Sequence, residues 1–179
     1  VGYATGLFVG FPDDDCEYPE NIFVDLYPFL TQMESACIGC CYDYPGCKVK
    51  GELKIAPNSL LGAAISFSFF IRNKGHQFDE RLGVGNYFGA GEETEYLLKN
   101  LGSTSYMSFR GWLTIKHPDR TLESDSRTIS YGRGFGALAR IYLTRWEIGG
   151  FYVITRILFG PLIKLVLFPL TKPLVRRTL

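Results

Sequence analysis

Five cysteines crowd into residues 16–47, and they are the densest group of reactive side chains in the chain. Four follow the pattern C-x2-C-C-x5-C, from Cys37 through Cys40 and Cys41 to Cys47, with Cys16 upstream. Two thiolates at C-x2-C spacing converge on one centre and can hold zinc or an iron–sulfur cluster. The second half of such a site is missing: Cys41 follows directly on Cys40, and no further C-x2-C or His pair lies downstream. Disulfides formed in an oxidising compartment fit the pattern as well, with Cys40 and Cys41 bonded to different partners and one thiol left over. All five are therefore candidate disulfide or metal cysteines, with disulfide scaffolding favoured and the connectivity open.

Two glycine-rich stretches come next. Gly132-Arg-Gly134-Phe-Gly136-Ala137 reads as G-x-G-x-x-A and is expected to be a turn between a strand and a helix. A dinucleotide site would need an acid about 20 residues further on and more parallel sheet than the remaining chain can supply. The flexible turn is the better expectation, with Arg133 able to meet a phosphate or lipid headgroup. Gly83 to Gly91 lacks the Lys-Ser/Thr of a P-loop and reads as mobile backbone before the acids Glu92, Glu93 and Glu95.

Acid–base candidates are sparse. The chain has two histidines. His117 falls in a His-Pro-Asp turn between apparent strands and is expected to be solvated. His76, three residues before Asp79 and Glu80, is expected at the surface. The adjacent carboxylates Asp79/Glu80 and Glu92/Glu93 should point apart, and there is no G-x-S-x-G nucleophile motif. The sequence thus assigns no catalytic residue, no cofactor site and no defined metal site, and the expectation is a non-catalytic protein.

The elements that would carry these residues follow from period and punctuation. Pro12 to Pro19 (PDDDCEYP) is an acidic, turn-rich loop. Pro19, Glu20 and Asn21 start a helix whose apolar positions Ile22, Phe23, Leu26, Tyr27, Leu30 and Met33 recur at helical spacing, with Pro28 expected to kink or interrupt it. The cysteines form a turn region closed by Tyr44-Pro45-Gly46. Strands are predicted around Val49–Ile55, over Ala64–Ile71 with Ile65, Phe67 and Phe69 on one face, over Ser105–Lys116, and over Arg127–Tyr131. A short helix is predicted over Glu93–Leu101, and another from Ala137 towards Phe159, broken at Gly160-Pro161. The fold class is α+β: an N-terminal helix, a cysteine-rich turn region, a small antiparallel sheet and a helical tail. Two regions are expected, 1–131 and 132–179.

The tail speaks most clearly about partners. From Gly132 onward there are eight basic residues against the single acid Glu147, whereas residues 1–131 hold 11 basics and 17 acids. The net charge of +1 hides a front near −6 and a tail near +7. Apolar residues between the basics suit an anionic membrane surface better than nucleic acid, and no nucleic-acid partner is expected. Ile148–Leu170 is long enough to span, but Arg156, Lys164 and the Gly160-Pro161 break favour an in-plane or re-entrant anchor. Arg145, Arg156, Lys164, Lys172, Arg176 and Arg177 are the expected headgroup contacts. The resulting expectation is a membrane-associated accessory or structural subunit of a larger assembly, contacting lipids and other subunits. The alternative is a lipid-handling enzyme or lipid-binding module docked by the same tail.

Overall fold

The computed structural model describes residues 2–32, 37–43, 52–55, 65–101, 107–118 and 125–144, with the isolated positions 155 and 159. Its centre is a five-stranded sheet among these residues, in the order β1-β4-β2-β5-β3. The strands are β1 (Phe8–Gly10), β2 (Cys37–Asp43), β3 (Glu52–Ile55), β4 (Phe69–Arg72) and β5 (Met107–Lys116). Neighbours pair antiparallel except β2 with β5, which run parallel. The expected α+β class and small sheet are present, with this one pair departing from a purely antiparallel arrangement. A parallel pair needs a long crossover, here supplied by the chain between them.

Among the described residues three helices pack on the sheet: α1 (Ile22–Gln32), α2 (Glu92–Leu101) and α3 (Asp125–Thr144). Alternation along β4 explains how both faces are covered. Phe69 and Ile71 join Tyr96 and Leu97 of α2 and Leu138 and Tyr142 of α3 in one buried cluster. Phe70 points the other way and joins Ile22, Leu26 and Leu30 of α1, together with Leu113 and Ile115 of β5. Ile22, Leu26 and Leu30 recur every four residues, so one stripe of α1 is buried. Phe23 and Tyr27, expected on that stripe, are 70% and 66% exposed. Pro28 sits inside α1 without ending it.

Several expectations are corrected here. The cysteine-rich segment is not a turn: Cys37, Cys40 and Cys41 lie in β2, an interior strand flanked by β4 and β5. The register shifts between Cys40 and Cys41, whose partners on β5 are Arg110 and Thr114, so the irregularity in the ladder lies on β5. Residues 66–68 form a 3-10 turn ahead of β4 rather than part of a strand. Ser68 is buried there, and its Oγ donates to the Ile65 carbonyl at 2.9 Å and accepts from the Ile65 amide at 3.1 Å. Local side-chain bonding of this kind competes with a ladder.

The largest correction concerns α3. The predicted strand Arg127–Tyr131 and the predicted turn at Gly132–Gly136 are both helix. Gly134 has a packing reason to be glycine inside this helix: a Cβ added there would fall on the backbone of Ala90. Close backbone approach compensates the helix-propensity cost of glycine, about 1 kcal/mol. No helix among the described residues is long and apolar enough to cross a membrane. Cys47 and the headgroup candidates Arg145, Arg156, Lys164, Lys172, Arg176 and Arg177 lie outside the described residues.

Candidate functional site: an acidic cleft with a metal-ligand quartet

A cleft of about 890 Å³ opens between the acidic loop that precedes α1, the N-terminus of α2 and the first half of α3. Three local constructions build its walls.

The first wall is the turn Asp13–Cys16, closed by the Cys16 amide donating to the Asp13 carbonyl at 3.4 Å. A two-residue bridge then fixes this turn to the end of β5. The Glu17 and Lys116 backbones exchange both N–H···O bonds at 3.0 Å, and the Lys116 ammonium reaches the Glu17 carboxylate at 3.2 Å. That bridge delivers His117, the residue after β5, to Asp15. The His117 Nε2 lies 3.7 Å from Asp15 Oδ1. Its ring stacks on Phe67, with centroids 4.9 Å apart and planes 17° from parallel. Phe67 is itself held by the 3-10 turn, whose carbonyl accepts from the Tyr18 hydroxyl at 2.8 Å.

Chemistry fixes the His117 tautomer. Its Nδ1 is 2.7 Å from the Pro118 carbonyl, which can only accept, so Nδ1 carries the proton. The Nε2 then faces Asp15, and the carbonyl contact at Nδ1 fixes the ring as a backbone carbonyl orients a metal-binding imidazole. One ligand atom each from Asp13, Asp15, Cys16 and His117 lies within 4.8 Å of all the others. His117 is thus not the solvated turn residue the sequence suggests; its side chain is 11% exposed.

The second wall is the glycine loop before α2. Gly83, Gly85 and Gly91 have φ of 104°, 92° and 100°, a region open to glycine at little cost. The loop is tied rather than loose. The Gly83 amide donates to Phe88 O at 2.8 Å, the Asn86 side chain to Leu82 O at 3.2 Å, and the Gly89 amide to Ser130 O of α3 at 3.2 Å. Gly91 accepts the first α2 bond, from the Glu95 amide at 2.9 Å, which places Glu92 and Glu93 in the first turn. Negative charge there is favoured by the helix dipole.

The third wall is one face of α3, carrying Arg127, Tyr131 and Phe135 at i, i+4 and i+8. Arg127 Nε donates to the Tyr131 hydroxyl at 3.2 Å, and its guanidinium lies 5.6 Å from the centre of that ring.

The electrostatics are lopsided. Asp13, Asp14, Asp15, Glu92 and Glu93 line the cleft, and Arg127 is the one lysine or arginine among its described lining residues. Burial, and then the charge of Glu92, push Glu93 up to about 7, with Asp13 adding to the effect. One carboxylate oxygen of Glu92 is buried with no hydrogen-bond partner among the described residues. Burial and the neighbouring Asp13 and Asp15 raise the Cys16 thiol above its ordinary value. Five carboxylates thus share one cleft, and burial together with the neighbouring Glu92 charge makes Glu93 the one that holds its proton most tightly.

Of the five cysteines singled out by spacing, the structure brings Cys16 next to Asp13, Asp15 and His117 at the edge of the cleft, and Cys16 forms no disulfide. Cys37, Cys40 and Cys41 belong to the sheet. Sequence reading missed Asp13, Asp15 and His117 as a set because 100 intervening residues separate Cys16 from His117. The available signal was the acid triplet at the mouth of a turn. The Glu92/Glu93 pair was set aside for geometry, yet both line the cleft because the α2 N-terminus points at it. Comparison with known proteins gives no match, neither to a protein family nor to a curated sequence.

Proposed function

We propose that the chain is a divalent-cation-dependent transferase, and that it moves a glycosyl group from a diphosphate-activated donor to a hydroxyl acceptor. The observation that carries this reading is the convergence of Asp13, Asp15 and His117 in a cleft that Glu92 and Glu93 also line. Aspartate oxygens and a neutral imidazole are a ligand set for magnesium- or manganese-type ions that keep open positions for phosphate oxygens. A bound divalent cation would supply charge neutralisation for a diphosphate leaving group.

The chain's own residues account for the remaining steps. Arg127, oriented by Tyr131, faces the cleft as a second positive contact for phosphate oxygens. Glu93 accepts the proton of the acceptor hydroxyl. The acceptor oxygen bonds to the anomeric carbon as the bond from that carbon to the diphosphate oxygen breaks, and that oxygen keeps the electron pair. A volume of about 890 Å³ suits a nucleotide-sized donor.

Charge balance favours glycosyl over phosphoryl transfer. Phosphoryl transfer develops negative charge on the equatorial oxygens and calls for several cations around it. This cleft offers five carboxylates and one guanidinium. A glycosyl centre instead becomes oxocarbenium-like and positive, which carboxylates stabilise.

Of the two expectations drawn from the tail, this reading lies nearer the lipid-handling enzyme or lipid-binding module docked by the tail than the non-catalytic subunit. Basic and apolar residues from 148 onward support a role in holding this site at an anionic bilayer, where a lipid-linked or membrane-bound hydroxyl acceptor would be presented. The test is release of nucleoside diphosphate from nucleoside-diphosphate sugars by the protein with manganese present. We expect release that requires the cation and falls at least about a hundredfold in Glu93→Gln, the usual range for removing a general base. Release that persists in Glu93→Gln, or that ignores chelation, overturns the proposal.

A further inference from the structure

The ligand quartet contains one member that a magnesium-type site does not need. Hard cations take oxygen donors, and the two aspartates, His117 and donor phosphate oxygens suffice for them. Cys16 adds a sulfur. Its Sγ lies within 4.8 Å of the ligand atoms of Asp13, Asp15 and His117. It is tied into no disulfide and is partly buried, next in the chain to the cleft-lining Asp15. The Cys16 amide bonds back to Asp13, so all three loop ligands belong to a single closed turn.

We propose that Cys16 makes this centre a switchable site: a thiophilic divalent ion of the zinc class closes it through Asp13, Asp15, Cys16 and His117, and shuts out the phosphate donor. The inference rests on the cation-dependent reading given above. Zinc bound to four protein ligands is tetrahedral and keeps no open position. Ligand atoms around such an ion sit roughly 3–4 Å apart, given bonds of about 2.0–2.3 Å, so the observed cluster needs only a small contraction. A manganese or magnesium ion in the same place prefers six oxygen or nitrogen donors and leaves Cys16 unused. The sulfur therefore discriminates between an occupant that admits substrate and one that excludes it. His117 serves both states, because its Nδ1–H is already committed to Pro118 while its Nε2 faces Asp15, a fellow ligand.

The experiment compares zinc and manganese binding by competition titration on the full chain and on Cys16→Ser and Cys16→Asp. Cysteine residues elsewhere also bind zinc, so the readout is the difference between variants, with zinc inhibition of donor binding followed in parallel. We expect Cys16→Ser to weaken the inhibitory zinc event at least about tenfold while changing manganese affinity about twofold or less, and Cys16→Asp to shift preference from zinc toward manganese. Cys16→Asp preserves a ligand at the position and guards against a merely structural loss. In the wild type, cadmium should produce a thiolate charge-transfer band, part of which disappears in both variants and in His117→Ala. Unchanged zinc inhibition in Cys16→Ser, or equal loss of zinc and manganese in both variants, overturns the inference. Absence of manganese binding in the wild type, with the Cys16-dependent zinc event intact, would instead sink the transferase reading and leave the closed site standing.

Discussion

Glu93 carries the sharpest consequence at the scale of single residues. Its folded-state value, about 7, lies above the ordinary glutamate value. A raised acid binds its proton more tightly in the folded state, so its contribution to stability is complete below the unfolded pKa and is lost as pH rises through about 7. Glu93→Gln removes that loss. The variant should therefore exceed the wild type in stability above neutral pH by about 1–2 kcal/mol, after allowing for water at a half-buried site, and match it below about pH 4. Denaturant midpoints at two pH values measure this, and an equal offset at both would argue against a site-specific proton. A cation nearby favours the carboxylate, so adding manganese should move the Glu93 titration below its metal-free position. Carbonyl-edited NMR of the labelled side chain reads that shift directly, and a shift upward would contradict the placement of the cation.

Among the elements, α3 and the loop before α2 stand or fall together. Gly134 lets the helix touch the Ala90 backbone, and Gly89 lies equally tight on Ser130. Gly132 and Gly136 meet nothing within 4 Å. Alanine scanning should therefore split by position. Gly134→Ala should destabilise by at least about 2 kcal/mol through forced separation, and should expose the 83–91 loop to limited proteolysis. Gly132→Ala and Gly136→Ala should instead stabilise by up to about 1 kcal/mol each, because alanine is the better helix former. Three equal outcomes would mean the helix–loop packing is not as described.

This element also shows what a sequence can and cannot carry. The α2 and β5 spans were legible because their apolar periods of 3.6 and 2 are undisturbed over ten residues each. The N-terminal helix was legible from its Pro19 start, although Pro28 proved tolerable within it. Helix α3 was not legible over 125–136, because glycine normally marks a turn and its compensation, contact with Ala90, is a tertiary fact. The cysteine segment misled for a similar reason. Close thiol spacing suggested a stapled turn, while neighbours β4 and β5 recruited it as an interior strand. At the site, each ligand was visible as a residue type. Their union depends on the Glu17–Lys116 bridge, which no local pattern announces.

On the scale of the whole molecule, the charge division acquires a use. The acidic front contains the cleft, and the basic, apolar end supplies a means of approaching an anionic surface. Removing residues 148–179 should reduce sedimentation with vesicles containing anionic lipid, and raised salt should weaken binding of the intact chain. Cation binding in the cleft should survive that truncation, since the described cleft residues all precede it. Vesicle binding that is indifferent to both the deletion and salt would count against the tail as an anchor.

The most direct test of the cleft is a manganese titration followed by electron paramagnetic resonance, with and without a nucleoside diphosphate. The account predicts saturable binding that tightens when the diphosphate is present, and that is lost in Asp15→Asn and weakened in His117→Ala. Manganese binding that is absent, or equal in wild type and Asp15→Asn with no response to the diphosphate, would contradict it.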